Sequence, residues 1–168
     1  MNILKAMAIL VIVSLPLSQA SHAAPRIAVL SFELNDITSL PNTSRERQRT
    51  ASIRPLLEKA LTLTGDYQIV EISREAQASA NSGFGYLYRF HDLAAKLGAE
   101  AGVDWVIVGQ HSKPSFLFSY LMTQLIDVKT GKLSASYEIE LKGNHEKVTQ
   151  HAVSALAKKI QDTVSSHR

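Results

Sequence analysis

Three short, nearly continuous apolar runs constrain this chain more than anything else in it. Arg26 to Phe32, Tyr67 to Ile72 and Asp104 to Gly109 are too short for independent helices and too apolar for elements with one wet face. Runs of this kind suit strands covered on both sides by other elements. Helical periodicity fills the gaps between them. In residues 46 to 64, Ile53, Leu57, Ala60 and Leu61 share a stripe with Leu56 beside it, and Gly65 is placed to stop the helix. Pro55 either kinks this helix or sits in the first turn of a shorter one. Residues 33 to 43, with Asn35, Asp36, Pro41 and Asn42, read as a loop. A strand, a helix and a strand in this order make a βαβ-like unit, for which a right-handed crossover is expected.

Ser73 is suited to cap a short helix over 74 to 80, and residues 81 to 88 read as a loop. Phe90, Leu93, Ala94, Leu97 and Ala101 form a further helical stripe closed by Gly102. The carboxyl-terminal part changes style. Segments 116 to 126 and 133 to 141 flank Asp127-Val-Lys-Thr-Gly-Lys132 as a hairpin. Leu133, Ala135, Tyr137, Ile139 and Leu141 alternate with polar residues; in the first strand Phe118, Tyr120, Met122 and Ile126 are the more apolar set. Both sets share a face only if paired residue numbers sum to an odd value. That selects a four-residue loop, 128 to 131, pairing Asp127 with Lys132 and putting Gly131 at positive φ. Asn144 is a natural N-cap for a last helix, with a stripe of Val148, Ala152, Ala155, Leu156, Ile160 and Val164.

The expected architecture is therefore α/β. It is a mixed, twisted sheet of about five strands with helices packed on it, ending in an antiparallel hairpin and a carboxyl-terminal helix. No repeat, linker or low-complexity tract divides residues 24 to 168, which read as a single domain.

The amino end reads as a cleaved secretory signal. Lys5 precedes an apolar run over residues 6 to 17, Pro16 breaks it, and Ser21 and Ala23 are small residues placed for a cut after Ala23. The run is shorter than the roughly 20 apolar residues that span a bilayer, so no stable membrane span is expected. The implied compartment is the periplasm. There is no cysteine, which excludes both disulfide stapling and amino-terminal lipidation through a cysteine. Without Lys5 the balance is 17 basic against 15 acidic side chains, too even for nucleic-acid binding.

The runs Ile27 to Phe32, Leu97 to Gly109 and Leu125 to Gly131, taken together, resemble the amino-terminal domain of TolB and the periplasmic domain of the curli secretion channel protein. They are still more similar to a family of small secreted bacterial domains of unknown function. In that family Asp-Val-x-Thr-Gly, here Asp127 to Gly131, and Gly-Asn, here Gly143-Asn144, recur near the carboxyl end. The resemblance implies fold and envelope location, and it implies no chemistry. Members of the family carry a cysteine pair ahead of the third helix, around residues 88 to 92 here. This chain has none, so no redox or metal role carries over to that position.

The residues themselves argue against catalysis. His91, His111, His145, His151 and His167 have no partner at the spacing of three or four that places two metal ligands on one helix face, and they read as solvated surface residues. There is no Gly-x-Ser-x-Gly, and Gly83-Phe-Gly85 follows a polar helix and lacks a phosphate-loop lysine. No catalytic residue, metal or cofactor is expected.

The segment with most to offer is the aromatic one: Phe84, Tyr86, Tyr88 and Phe90 lie within seven residues, with Arg89 and His91 beside them. Aromatic residues and arginine are enriched at binding hot spots. The expected activity is a non-enzymatic interaction with another envelope protein, through Phe84, Tyr86, Tyr88, Arg89 and His91 and the polar edge of the hairpin. The alternative is a small-molecule binder with a pocket at the carboxyl ends of the buried strands, where Gln110, His111 and Lys113 are expected. A basic patch of Arg45, Arg47, Arg49 and Arg54 suggests weak contact with anionic lipid or an acidic partner.

Overall fold

The computed structural model describes residues 23–65, 67–143 and 146–167. Residues 1–22 of the proposed signal segment, which ends at Ala23, lie outside the described residues, as do Asn144 and His145. Along the chain run β1 (Arg26–Val29), β2 (Glu33–Asp36), α1 (Ser44–Thr64), β3 (Gln68–Ile69), α2 (Arg74–Ala80), α3 (Tyr86–Arg89), α4 (His91–Glu100), β4 (Trp105–Lys113), β5 (Phe118–Asp127), β6 (Lys132–Lys142) and α5 (Glu146–Ser166).

The sheet is mixed. Its order is β3-β1-β4-β5-β6, with β2 continuing along β4 beyond β1. β1 is parallel to both β3 and β4, and the β4-β5-β6 meander is antiparallel. Two cores flank it. Ile27, Val29, Trp105, Ile107, Leu121 and Leu125 pack on one face against α1 and α5. On the other, Ala28, Leu30, Val106, Val108 and Ile126 pack against Leu87 and the α4 residues Ala94, Ala95 and Leu97. Both faces of the central strands are thus dry, as their apolar runs require.

Several elements differ from the sequence expectation. The first apolar run is broken: Val29 pairs with Ile107 but Glu33 with Gln110, so the first chain spends one more residue than β4 does. A short strand, β2, therefore replaces part of the expected loop. The irregularity turns Phe32 over Gly109, where an added Cβ would meet the Phe32 ring at 2.2 Å. Gly109→Ala should cost about 1–3 kcal/mol by overpacking, read as a lower urea midpoint. Helix α1 runs through Pro55 without ending. The hydrogen bond that proline cannot donate falls on an exposed side of the helix, beside exposed Ala51. Thr43 caps the helix by accepting from the Glu46 N–H. The expected strand over 67 to 72 contracts to Gln68–Ile69.

The hairpin turn is as expected: Asp127 pairs with Lys132 and Gly131 has φ +68°. The register beyond it is not. A β-bulge between Leu125 and Ile126 changes the pairing from Ile126 with Leu133 to Leu125 with Ala135. From there the paired numbers sum to an even value, and the faces of β5 exchange. Leu121 and Leu125, with Ser119 and Thr123 between and beside them, lie in the core under α5. Tyr120 and Met122, expected inside, are half-buried on the opposite face.

Candidate functional site

The register exchange creates an open surface. Helix α4 covers the part of the sheet near Val106, Val108 and Ile126. Farther along the same face half-buried Gln110, Tyr120 and Met122, and Gln124, buried beside His91, are joined by Ser136, Glu138 and Glu140 on β6, cross-strand neighbours of the β5 residues. The aromatic segment borders this surface. Leu87 is buried and anchors the one-turn helix α3, while Phe84 is 53% and Phe90 45% exposed, and Arg89 is exposed. The Tyr86 and Phe90 rings lie 4.8 Å apart at 53°. Tyr88 is half-buried and its hydroxyl bonds to Ser136. Burial, with the charge of Glu138, raises its pKa although the Ser136 bond opposes this. His91 Nε2 sits 3.1 Å from Gln124 Oε1.

A residue that sequence reasoning passed over holds the segment in place. Glu33 Oε2 accepts from the Gly85 N–H at 2.8 Å, and its Oε1 accepts from Asn81 Nδ2 at 2.9 Å. Gln110 Nε2 donates to the same carboxylate at 3.4 Å. Gly85 has φ +69°, and a Cβ there would lie 3.1 Å from Gln110 Nε2, so only glycine fits without strain. The aromatic side chains are therefore presented on a fixed backbone. No motif marks Glu33; its partners are 48 to 77 positions away.

The structure thus brings Tyr88, His91 and Gln110 to this face, through Ser136, Gln124 and Glu33, while Tyr86 packs on Phe90 and Phe84 and Arg89 are exposed beside them in the same segment. His111 is not among them. It follows Gln110 on β4, points to the other side of the sheet and is fully buried, contrary to the solvated reading. Thr50 Oγ1 lies 2.8 Å from its Nδ1, and Ser119 Oγ 3.0 Å from its Nε2. Thr50 already donates its one hydroxyl proton to the Glu46 carbonyl. Nδ1 therefore carries the ring proton and Nε2 accepts from Ser119. Burial, reinforced by Arg49, lowers the His111 pKa to about 4.

The basic patch is also divided. Arg45 and Arg47 are exposed. Arg49 turns inward, donating to Thr149 Oγ1 at 2.8 Å and to the Gly143 carbonyl at 3.1 Å. Arg54 is buried, bonded to Glu58 at 2.8 Å and to the Ile72 carbonyl at 3.0 Å. It forms part of a groove of about 830 Å³ between α1 and α2, with Phe32, Ile69 and Gln77 among its walls. This groove is at the carboxyl ends of β1 and β3, where a pocket was expected, but Gln110, His111 and Lys113 are not in its lining. Gln110 faces the aromatic segment, and His111 and Lys113 are packed inside.

The chain matches, over residues 25–160, the family DUF3280, described as a protein of unknown function (DUF2380). The chain belongs to this family. No curated protein matches its sequence. Among solved structures, TolB from Acinetobacter baumannii superimposes with a TM-score of 0.54 at 17% identity, over 85% of this chain and 29% of TolB. The hypothetical protein CT253 from Chlamydia trachomatis gives 0.56 at 8% identity, over 84% of this chain and 99% of that protein. A PelC dodecamer from Paraburkholderia phytofirmans gives 0.51 at 16% identity, over 81% and 84%. At these identities the likeness is one of fold. It agrees with the TolB-like resemblance read from the sequence. No helix among the described residues is long and apolar enough to cross a membrane.

Proposed function

We propose that this DUF3280 protein is a non-enzymatic interaction module of the periplasm, comprising residues 24–168 after removal of the signal segment. It docks another envelope protein on the open half of the sheet beside the aromatic segment, as an accessory to a periplasmic enzyme or a trans-envelope assembly. The observation that carries this reading is the exposure of Phe84, Arg89 and Phe90 on a backbone pinned by Glu33. Rigid aromatic and arginine side chains are what hot spots are made of, and ordering them in advance lowers the entropy lost on binding. The PelC structure is of a dodecamer, so protein contacts through this fold have a precedent. Three side chains that hydrolases use do converge, Thr50, His111 and Ser119, but they are all at most 4% exposed and bonded to one another. That arrangement supports a structural role rather than a nucleophile.

Affinity capture from envelope extracts tests the proposal. Replacing Phe84, Tyr86 and Arg89 together by alanine should lower recovery of the partner at least about tenfold, since hot-spot residues cost about 2 kcal/mol or more each. Unchanged capture would reject this face. Fusion to a reporter that is active only in the periplasm tests location. The groove favours a second reading, a small-molecule binder. A ligand retained through purification and seen by native mass spectrometry, and lost on Arg54→Met, would support it over docking.

A further inference from the structure

Five of the nine large, exposed apolar side chains among the described residues gather at one end of the sheet: Ile37, Leu40, Phe116, Leu117 and Phe118. Two loops carry them, with Phe118 at the start of β5. The Ile37 N–H donates to the Lys113 carbonyl at 3.2 Å, which sets the loop after β2 against the loop after β4. Neither loop contains a charged residue: 37 to 43 reads Ile-Thr-Ser-Leu-Pro-Asn-Thr and 114 to 118 reads Pro-Ser-Phe-Leu-Phe. Both are fixed by local caps. The Asp36 carboxylate accepts from the Thr38 N–H, the Thr38 hydroxyl and the Asn42 N–H. Ser115 Oγ accepts from the N–H groups of Leu117 and Phe118. Leu117 at 77% and Ile37 at 71% exposed are thus held in water by turns that do not depend on them. Isolated exposed leucines need no explanation, but a preorganised apolar cluster does.

Charge surrounds this tip. Arg45 and Arg47 follow the first loop, with Arg47 donating to the Asn42 carbonyl and to Ser44. Lys142 pairs across the sheet with Phe118, and Lys147 opens α5 after the Gly143 N–H has bonded the Leu117 carbonyl at 2.9 Å. The carboxylates of Asp36 and Glu46 at this end are buried and engaged within the fold. Glu140, 3.6 Å from Lys142, and Glu146, bonded to Gln150, are the exposed acids. Among the described residues, four exposed cations thus face two exposed acids at this end.

We infer that this tip is a membrane-contact site: the two loops enter the interface of an anionic bilayer while Arg45, Arg47 and their lysine neighbours meet lipid head groups. Apolar insertion and attraction to anionic lipid are the two contributions on which interfacial binding depends. A bilayer accepts a projecting apolar end without needing a complementary groove. The site uses none of the aromatic face, so it goes beyond partner docking and survives or fails separately from it.

Co-sedimentation with vesicles tests this. The protein is used in the amino-terminal form that cells produce, the same for every variant. Binding to phosphatidylethanolamine–phosphatidylglycerol vesicles should fall at least about tenfold when Ile37, Leu40 and Leu117 are all changed to serine. Arg45→Gln with Arg47→Gln should lower it by about tenfold and weaken its salt dependence. The urea midpoints should hold, because the changed side chains are exposed. As a direct probe, a Phe116→Trp variant should shift its emission to the blue on adding vesicles. Absence of binding, equal binding by the serine variant, or an unshifted emission from the Phe116→Trp variant would overturn the site. So would self-association that the serine changes abolish in a protein that ignores vesicles, since the patch would then serve a second copy of the chain.

Discussion

Glu46→Ala should remove about 3–5 kcal/mol of folding stability, the usual cost of leaving a buried charge without its partner. The Glu46 carboxylate is 3.1 Å from Lys113 Nζ, and both side chains are at most 8% exposed. Arg49 approaches the same carboxylate at 3.8 Å. Without Glu46, Lys113 keeps, among the described residues, the more distant Asp36 charge and the face of Phe116, 5.6 Å from its nitrogen. A domain of this size has about 5–15 kcal/mol in total, so the variant should unfold at markedly lower urea. Glu46→Met combined with Lys113→Met should recover most of the loss, because two apolar side chains require no pairing. A double variant no more stable than Glu46→Ala would mean that the pair does more than neutralise itself.

What the sequence disclosed and what it hid divide along a physical line. Local signals were legible. The apolar run at Trp105 to Val108, the Ser73 cap accepting from the Ala76 N–H, and the Asp127–Lys132 turn all depend on residues a few positions apart. Misreadings arose where distant parts decide. Nothing within β5 announces the bulge at Leu125/Ile126, yet that bulge sends Leu121 inward and leaves Met122 on the open face. Gln110 and His111 looked like neighbours in one pocket because both come at the carboxyl end of a buried strand. Strand alternation separates them by the full thickness of the sheet. The grouping of Thr50, His111 and Ser119 joins residues from distant parts of the chain and was invisible for the same reason. The aromatic segment stood out by composition, whereas its dependence on Glu33 could be seen only in three dimensions.

That buried histidine has a measurable consequence in acid. His111 has a folded pKa of about 4 against 6.5 for an ordinary histidine. Burial is the main cause, and the nearby Arg49 and Lys113 charges add to it, while Glu46 and Asp36 work in the opposite direction. Since the folded value lies below the unfolded one, the unfolded chain takes up the proton first. Stability from this group is therefore complete above about pH 6.5 and is lost as pH falls toward 4, by about 3 kcal/mol in all. Asp36 acts in a lower window. Burial raises its pKa, but the bonds from Thr38 and Asn42, with Lys113 nearby, outweigh this and bring it below 3.8. Its contribution is lost only under more acid conditions. Urea unfolding followed by the fluorescence of buried Trp105 from pH 7 to 4 should thus show a decline that His111→Leu removes. The variant starts lower, because Thr50 and Ser119 lose their partner, but its stability should change less across this window. Parallel curves for the two proteins would show that the acid sensitivity arises elsewhere, and that burial does not hold the ring neutral.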